Sequence, residues 1–110
     1  MINIKDFGKL DIRVGTIINA EPLAEAKKPA YHLKIDFGNK IGIKQSSAQI
    51  TKNYSVDDLN GKQIVAIVNF PPKKIAGISS EVLVMGANND NGEVILLEPQ
   101  KDIPNGSKIS

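Results

Sequence analysis

Val68-Asn69-Phe70-Pro71-Pro72-Lys73-Lys74-Ile75-Ala76-Gly77-Ile78-Ser79-Ser80-Glu81-Val82-Leu83-Val84-Met85 decides how this chain is read. It opens as the end of an apolar strand that must stop at Pro71-Pro72, because neither proline has a backbone N–H to give to a sheet ladder. Two lysines follow the corner, then Gly77 with its backbone freedom, a serine pair, and a second apolar strand from Glu81 to Met85. A stiff corner with paired cations and small hydroxyls between two strands displays charge at one rim of a β-barrel. Such a rim suits an anionic or polar partner better than it suits a catalytic step.

The flanking sequence supplies the barrel. Tyr31, Leu33, Ile35 and Phe37 alternate with His32, Lys34 and Asp36, the period-two pattern of a half-buried strand. Gly38-Asn39 offers a tight turn into Ile41-Gly42-Ile43, so this strand and the one over 41–47 are expected to form a hairpin. Upstream, Ile12 and Val14 alternate with Arg13 and Gly15. Gly15 and Gly42 are expected bend points, Gly42 marking a bulge. Ser55-Val56-Asp57-Asp58-Leu59-Asn60-Gly61 reads as one helical turn, with Ser55 as cap, both aspartates at the positive end and Gly61 at the exit. A strand from Gln63 to Phe70 follows, and Glu81–Met85 is expected to pair with Glu93–Glu98 across Asn88–Gly92. Five strands with a short helix between the third and fourth give an all-β OB-fold barrel, one domain over residues 1–110.

Three strands are too apolar for a lone barrel. Ile64 to Val68, Val82 to Met85 and Val94 to Leu97 are apolar on both faces, and a small barrel buries only one. The second face needs terminal segments or another chain to cover it. Ile2, Ile4, Phe7, Ile103 and Ile109 are the residues expected to serve, and to form the interface of a homodimer.

Charge is distributed unevenly. The net charge is only +2, but residues 27–80 hold nine lysines against Asp36, Asp57 and Asp58, a local +6 between ends of −1 and −3. That is the footprint of one polarised face, as expected of a polyanion binder. Arg13, Lys34, Lys44, Lys73 and Lys74 are the candidate phosphate contacts, Lys34 and Lys44 on the outer faces of paired strands. Ser46, Ser47, Ser79 and Ser80 are candidate hydroxyl donors to phosphate or 2′-OH. Phe7, Phe37, Phe70, Tyr31 and Tyr54 are the only aromatics, and Tyr31 and Phe37 belong to the core by their alternation. Too few remain for a base-stacking platform. Folded RNA held by backbone and shape is the expected ligand.

Catalytic parts are missing. His32 is the only histidine and is expected on an outward strand face beside Lys34, an exposed bystander. Zinc sites take about three or four protein ligands, and with no cysteine in the chain none is expected. No Gly-x-Ser-x-Gly turn, phosphate loop or dinucleotide fingerprint occurs, so neither an enzyme nor a cofactor is expected. No apolar run approaches the roughly 20 residues that span a bilayer. A cytoplasmic protein without membrane insertion is the expectation.

Lys9-Leu10-Asp11-Ile12-Arg13-Val14-Gly15-Thr16-Ile17, Ala30 to Gly38, Ile43 to Ile50, the Pro71-Pro72 segment, Val94 to Leu97 and Ile103-Pro104-Asn105-Gly106 together resemble the tRNA-binding domain family. Within that family they are most similar to the CsaA export-chaperone group. The resemblance implies tRNA bound without reading one anticodon, and a homodimer. It also implies a rival function, a chaperone holding unfolded preproteins for the export machinery. Phe70, Ile75, Ile78 and Met85 near the lysine pair would then form an apolar cleft with a basic rim. A third possibility is a module that only dimerises and docks onto a larger partner. Stand-alone tRNA-binding relatives tend to have Gly-Met where this chain reads Glu81-Val82, a departure that favours the chaperone branch.

Overall fold

The computed structural model describes residues 1–110. Its main sheet is antiparallel and contains β1 (Ile12–Pro22), β2 (Tyr31–Asp36), β3 (Ile43–Ala48), β4 (Gln63–Ile67) and β7 (Leu83–Val84), in the order β3-β2-β1-β4-β7. Between β4 and β7 lies a two-stranded ribbon, β5 (Lys73–Ile75) with β6 (Ile78–Ser80). After β7 comes a hairpin of β8 (Gly86–Asn88) and β9 (Val94–Leu96). Three short helices complete the chain: α1 (Ile4–Gly8), α2 (Gly38–Ile41) and α3 (Val56–Leu59). The sheet curls into the expected five-stranded, nearly closed OB-fold barrel, with α3 between the third and fourth barrel strands.

The long β1 bends because its two halves serve different neighbours. Ile12–Thr16 pairs with β4 and Thr16–Pro22 with β2. A bulge at Ile18 breaks the second register between Ile17↔Ile35 and Asn19↔Lys34. One inserted residue switches the side-chain parity, so Ile17 and Ala20 both reach the barrel core while Ile12 and Val14 point out of it. Gly15 lies on the inner face, where a Cβ would sit 2.7 Å from Ile35 Cγ2 and 2.8 Å from the Phe37 ring. It is a close-packing glycine, and the bend falls three residues later. Gly42 is no bulge either: β2 and β3 pair without a break from Tyr31↔Ala48 to Asp36↔Ile43. With φ of +84°, Gly42 ends α2, which replaces the expected tight turn.

Two apolar clusters result. The larger fills the barrel with Ile17, Leu33, Ile35, Phe37, Leu59, Ile64 and their neighbours. The smaller lies outside, where Ile12, Val14, Val65 and Ile67 are covered by Phe7, Leu10, Met85 and Ile109. Terminal segments therefore cover the second apolar face of β1 and β4. An Asn3–Asp6 capping box starts α1, which delivers Phe7 and Leu10. The C-terminal segment takes the edge of β1 that β2 leaves vacant: Val14 N–H donates to the Ser107 carbonyl (2.9 Å), Gly106 N–H to Val14 (2.7 Å) and Ile109 N–H to Ile12 (2.9 Å).

The final hairpin differs from expectation. Leu83–Val84 pairs with β4, and it is Gly86–Asn88 that pairs with Val94–Leu96. The strand changes partner at Met85, whose N–H donates to Val65 and whose carbonyl accepts from Leu97. Gly86 permits the crossing, since a Cβ there would collide with Val94.

One backbone and two side-chain hydrogen bonds close the barrel along the free edge of β3. Glu81 N–H donates to the Gln45 carbonyl (2.8 Å), and Gln45 N–H donates back to the Glu81 carboxylate (3.0 Å). Ser47 N–H donates to Ser80 Oγ (3.2 Å). Backbone groups that would otherwise lack partners are satisfied without a full ladder. Glu81, the departure noted above, is thus part of the seam.

Candidate nucleic-acid interface

The ribbon rather than a proline corner carries the lysine pair. Strand β4 ends at Ile67, and Asn69 then pins the exit: its side chain accepts from Asp11 N–H (2.9 Å) and donates to the Lys9 carbonyl (2.9 Å). Past the prolines, Lys73 pairs with Ser80, Lys74 with Ser79 and Ile75 with Ile78. Ala76 (φ 48°) and Gly77 (φ 87°) are both left-handed, the two-residue turn that matches strand twist in a tight hairpin. Directly opposed residues share a face. Lys73 and Ser80 therefore lie on one side of the ribbon, and Lys74 and Ser79 on the other.

The ribbon tip meets the β1–β2 loop. Glu25 reaches over Gly77, with Oε2 only 2.9 Å from where a Cβ would stand. Lys27 and Lys28, both exposed, follow in that loop. These two had no place among the candidate residues, although Lys27-Lys28-Pro29 resembles the proline-flanked pair at 71–74.

Other candidates divide sharply. Lys34 is exposed on the outer face, opposite Gln45. Lys44 is opposite the fully buried Ile35, which puts it on the inward-pointing side at the barrel end, not beside Lys34. Ser46 is 1% exposed and donates its hydroxyl to the Val82 carbonyl (3.0 Å), so it cannot reach a ligand. Ser47, Ser79 and Ser80 are half-buried, and Ser80 Oγ already accepts from Ser47 N–H. Arg13 is engaged at home, donating to Asp11 (2.6 Å) and to the Gly106 carbonyl (3.0 Å), where it clamps the C-terminal segment.

His32 is not a bystander. Its side chain is 14% exposed, with Nε2 2.8 Å from Gln45 Oε1 and Nδ1 3.5 Å from Glu21. It joins three strands on the outer face. Of the apolar candidates, Phe70 is exposed, Ile75 and Ile78 are half-buried, and Met85 packs on the outer cluster. Ile2, Ile4 and Ile103 are exposed, whereas Phe7 and Ile109 pack on the outer cluster. Phe70 is the sole exposed aromatic.

Charge pairing separates the lysines most clearly. Among the nine between residues 27 and 80, only Lys62 has a carboxylate in salt-bridge range, Glu98 at 3.3 Å. The nearby acids are occupied by backbone. Asp36 accepts from Gly38 N–H (2.8 Å), and Asp58 caps α3 by accepting from Ser55 N–H (3.0 Å). Hydrogen bonds from the Ser55 backbone and side chain hold the Asp58 carboxyl below the ordinary aspartate value. No cluster of three His, Asp or Glu side chains forms that could hold a metal.

An OB-fold barrel with eight unpaired lysines defines a small binding module. Residues 12–108 match the family described as "Putative tRNA binding domain", and the chain belongs to that family. Over its full length it is similar to chaperone CsaA from Bacillus anthracis, with 57% identity, 99% of that chain covered and a TM-score of 0.94. The CsaA chaperone from Picrophilus torridus is similar at 56% identity, 100% coverage of both chains and a TM-score of 0.93. A methionine–tRNA ligase from Thermococcus onnurineus is 40% identical over 109 residues, which are 98% of this chain and 14% of the ligase. The chain spans about 15% of the length of the curated relatives it matches.

Proposed function

We propose that residues 1–110 form one non-enzymatic, cofactor-free domain that binds folded RNA, tRNA foremost, by backbone and shape. The observation that carries this reading is the set of unpaired lysines, eight of the nine between residues 27 and 80. Lys73 and Lys74 on the ribbon, Lys27 and Lys28 beside its tip and Lys34 on the outer face are its principal contacts. Ser47, Ser79 and Ser80 contribute at the same edge. Membership of the tRNA-binding family supports the choice of ligand.

Fluorescence anisotropy against labelled bulk tRNA tests it. Affinity should fall steeply with salt, with a log–log slope of the order of the roughly −0.9 per neutralised phosphate that holds for duplex DNA. Lys73→Ala with Lys74→Ala should weaken binding and flatten that slope by roughly 2. Unchanged tRNA binding by the double variant would remove the ribbon from the interface.

A second reading has its own support. Similarity to two CsaA chaperones, together with exposed Phe70 and half-buried Ile75 and Ile78 on the ribbon, favours capture of unfolded preproteins for the export machinery, with RNA incidental. Apolar capture should be insensitive to salt or strengthened by sulfate, the opposite of the tRNA prediction. In either reading the protein acts in the cytoplasm as a homodimer through Ile2, Ile4 and Ile103, which the fold leaves exposed, and through Phe7 and Ile109, which pack on the outer cluster. No helix is long and apolar enough to cross a membrane.

A further inference from the structure

A pocket of about 340 Å³ opens at the end of the barrel, between the β1–β2 loop, the segment after β3 and the β8–β9 turn. Only two of its eleven lining residues are hydrophobic. Lys28 and Lys52 enter it from different loops, and neither has a carboxylate in salt-bridge range. Gln49, Asn53 and Asn91 add amide donors and acceptors. Glu93 adds a carboxylate in the same space.

The wall carrying Glu93 is built in advance. Asn89 Oδ1 accepts from the N–H groups of Asn91 and Glu93, both at 2.9 Å, and Asn89 Nδ2 donates to Glu93 Oε1 (3.1 Å). Gly92 takes the left-handed conformation (φ 74°) the turn needs. The Asn89 hydrogen bond, with Asn53 and the charge of Lys52 adding to it, holds the Glu93 carboxyl below its ordinary value. It is therefore an ionised, acceptor-only group at neutral pH.

An anionic acceptor beside two cations selects among ligands. A bare phosphate would be drawn by the lysines and repelled by Glu93. A ligand with both an anion and a hydroxyl donor satisfies every wall. We propose that this pocket takes one ribonucleotide of the bound RNA, its phosphate on Lys28 and Lys52 and its 2′-hydroxyl on Glu93. The volume is near the lower end of small-ligand pockets, about 300–1,000 Å³, and suits a single unit rather than an oligomer. Since the 2′-hydroxyl is what separates RNA from DNA, Glu93 becomes the residue that discriminates between them. The inference rests on the RNA-binding reading and assigns it a second site, which meets the ribbon surface at Lys28.

The test titrates wild-type protein with a labelled eight-residue oligouridylate and its 2′-deoxy counterpart at fixed low salt. The ribo probe should bind about tenfold more tightly, the scale of one charge-assisted hydrogen bond. Glu93→Ala should erase that preference, and Lys52→Ala, which leaves the ribbon-side lysines in place, should weaken both probes. Equal binding of the two probes by wild type, or a preference that survives Glu93→Ala, overturns the proposal. If Glu93→Ala misfolds by thermal melt, NMR of the wild-type protein decides. Uridine 5′-monophosphate should shift the amides of 49–53 and 91–94, and 2′-deoxyuridine 5′-monophosphate should shift them less; shifts elsewhere, or equal shifts, overturn it. Tight tRNA binding with no ribo preference defeats the pocket alone. Oligouridylate captured at the pocket without tRNA binding defeats the ribbon reading alone.

Discussion

Ile64 and Ala66 face the barrel interior, while Val65 and Ile67, their immediate neighbours on β4, face outward under the chain termini. The same contrast runs along β1, where Ile17 and Ala20 are inner and Ile12 and Val14 outer. The inner cluster is enclosed by paired strands and cannot relax without breaking the sheet. The outer cluster is closed by α1 and the C-terminal segment, whose apolar side chains are only partly buried. A closed barrel and an open flank thus share two strands. The RNA-binding lysines of the proposal belong to neither apolar cluster, so stability and binding should separate cleanly under mutation.

A matched pair of isoleucines tests the comparison most severely. Ile64→Ala should cost about 4 kcal/mol and Ile67→Ala about 2 kcal/mol, because a site that can collapse loses less than one that cannot. Urea denaturation of both variants measures the difference, and equal losses would show that the outer flank is as rigid as the interior. Gly15→Ala comes next. The added methyl would press on Ile35 and the Phe37 ring, an overpacking expected to cost about 1–2 kcal/mol. Thermal melts would reveal it, and a neutral result would mean that Phe37 can swing aside.

The smallest effect concerns acid. Hydrogen bonds from Ser55 lower the Asp58 carboxyl, so its contribution is fully present above the ordinary aspartate value. It is lost as pH falls through the lower folded-state value. The thermal midpoint should therefore decline on acidification below the ordinary carboxylate range, and Asp58→Asn should reduce that decline. A decline unchanged in the variant would assign the acid sensitivity to other groups. Neither Gly15→Ala nor Asp58→Asn should alter tRNA affinity, whereas the ribbon lysines should alter nothing else.

Much of this architecture was legible in local pattern. The period-two run from Tyr31 to Phe37 gave a strand, and Ser55 three residues before Asp58 gave a capped helical turn. The same spacing in Asn3 and Asp6 also caps a helix, but no amphipathic run follows it to draw attention. The ribbon was hidden because Ala76 occupies a left-handed turn position where asparagine is the usual signal. The prolines just upstream then suggested a corner instead.

Composition and periodicity by themselves determined the all-β barrel, the basic middle and the presence of an apolar surface that the barrel cannot bury. Those properties depend on nearest neighbours along the chain. Only the tertiary structure decided which face each residue occupies. A bulge at Ile18 reverses the parity of β1, the β2–β3 register sends Lys44 inward, and closure of the β3 edge buries Ser46. His32 becomes a cross-strand link for the same reason. In a strand a single residue of register exchanges inside for outside, and register is set by pairing with distant segments.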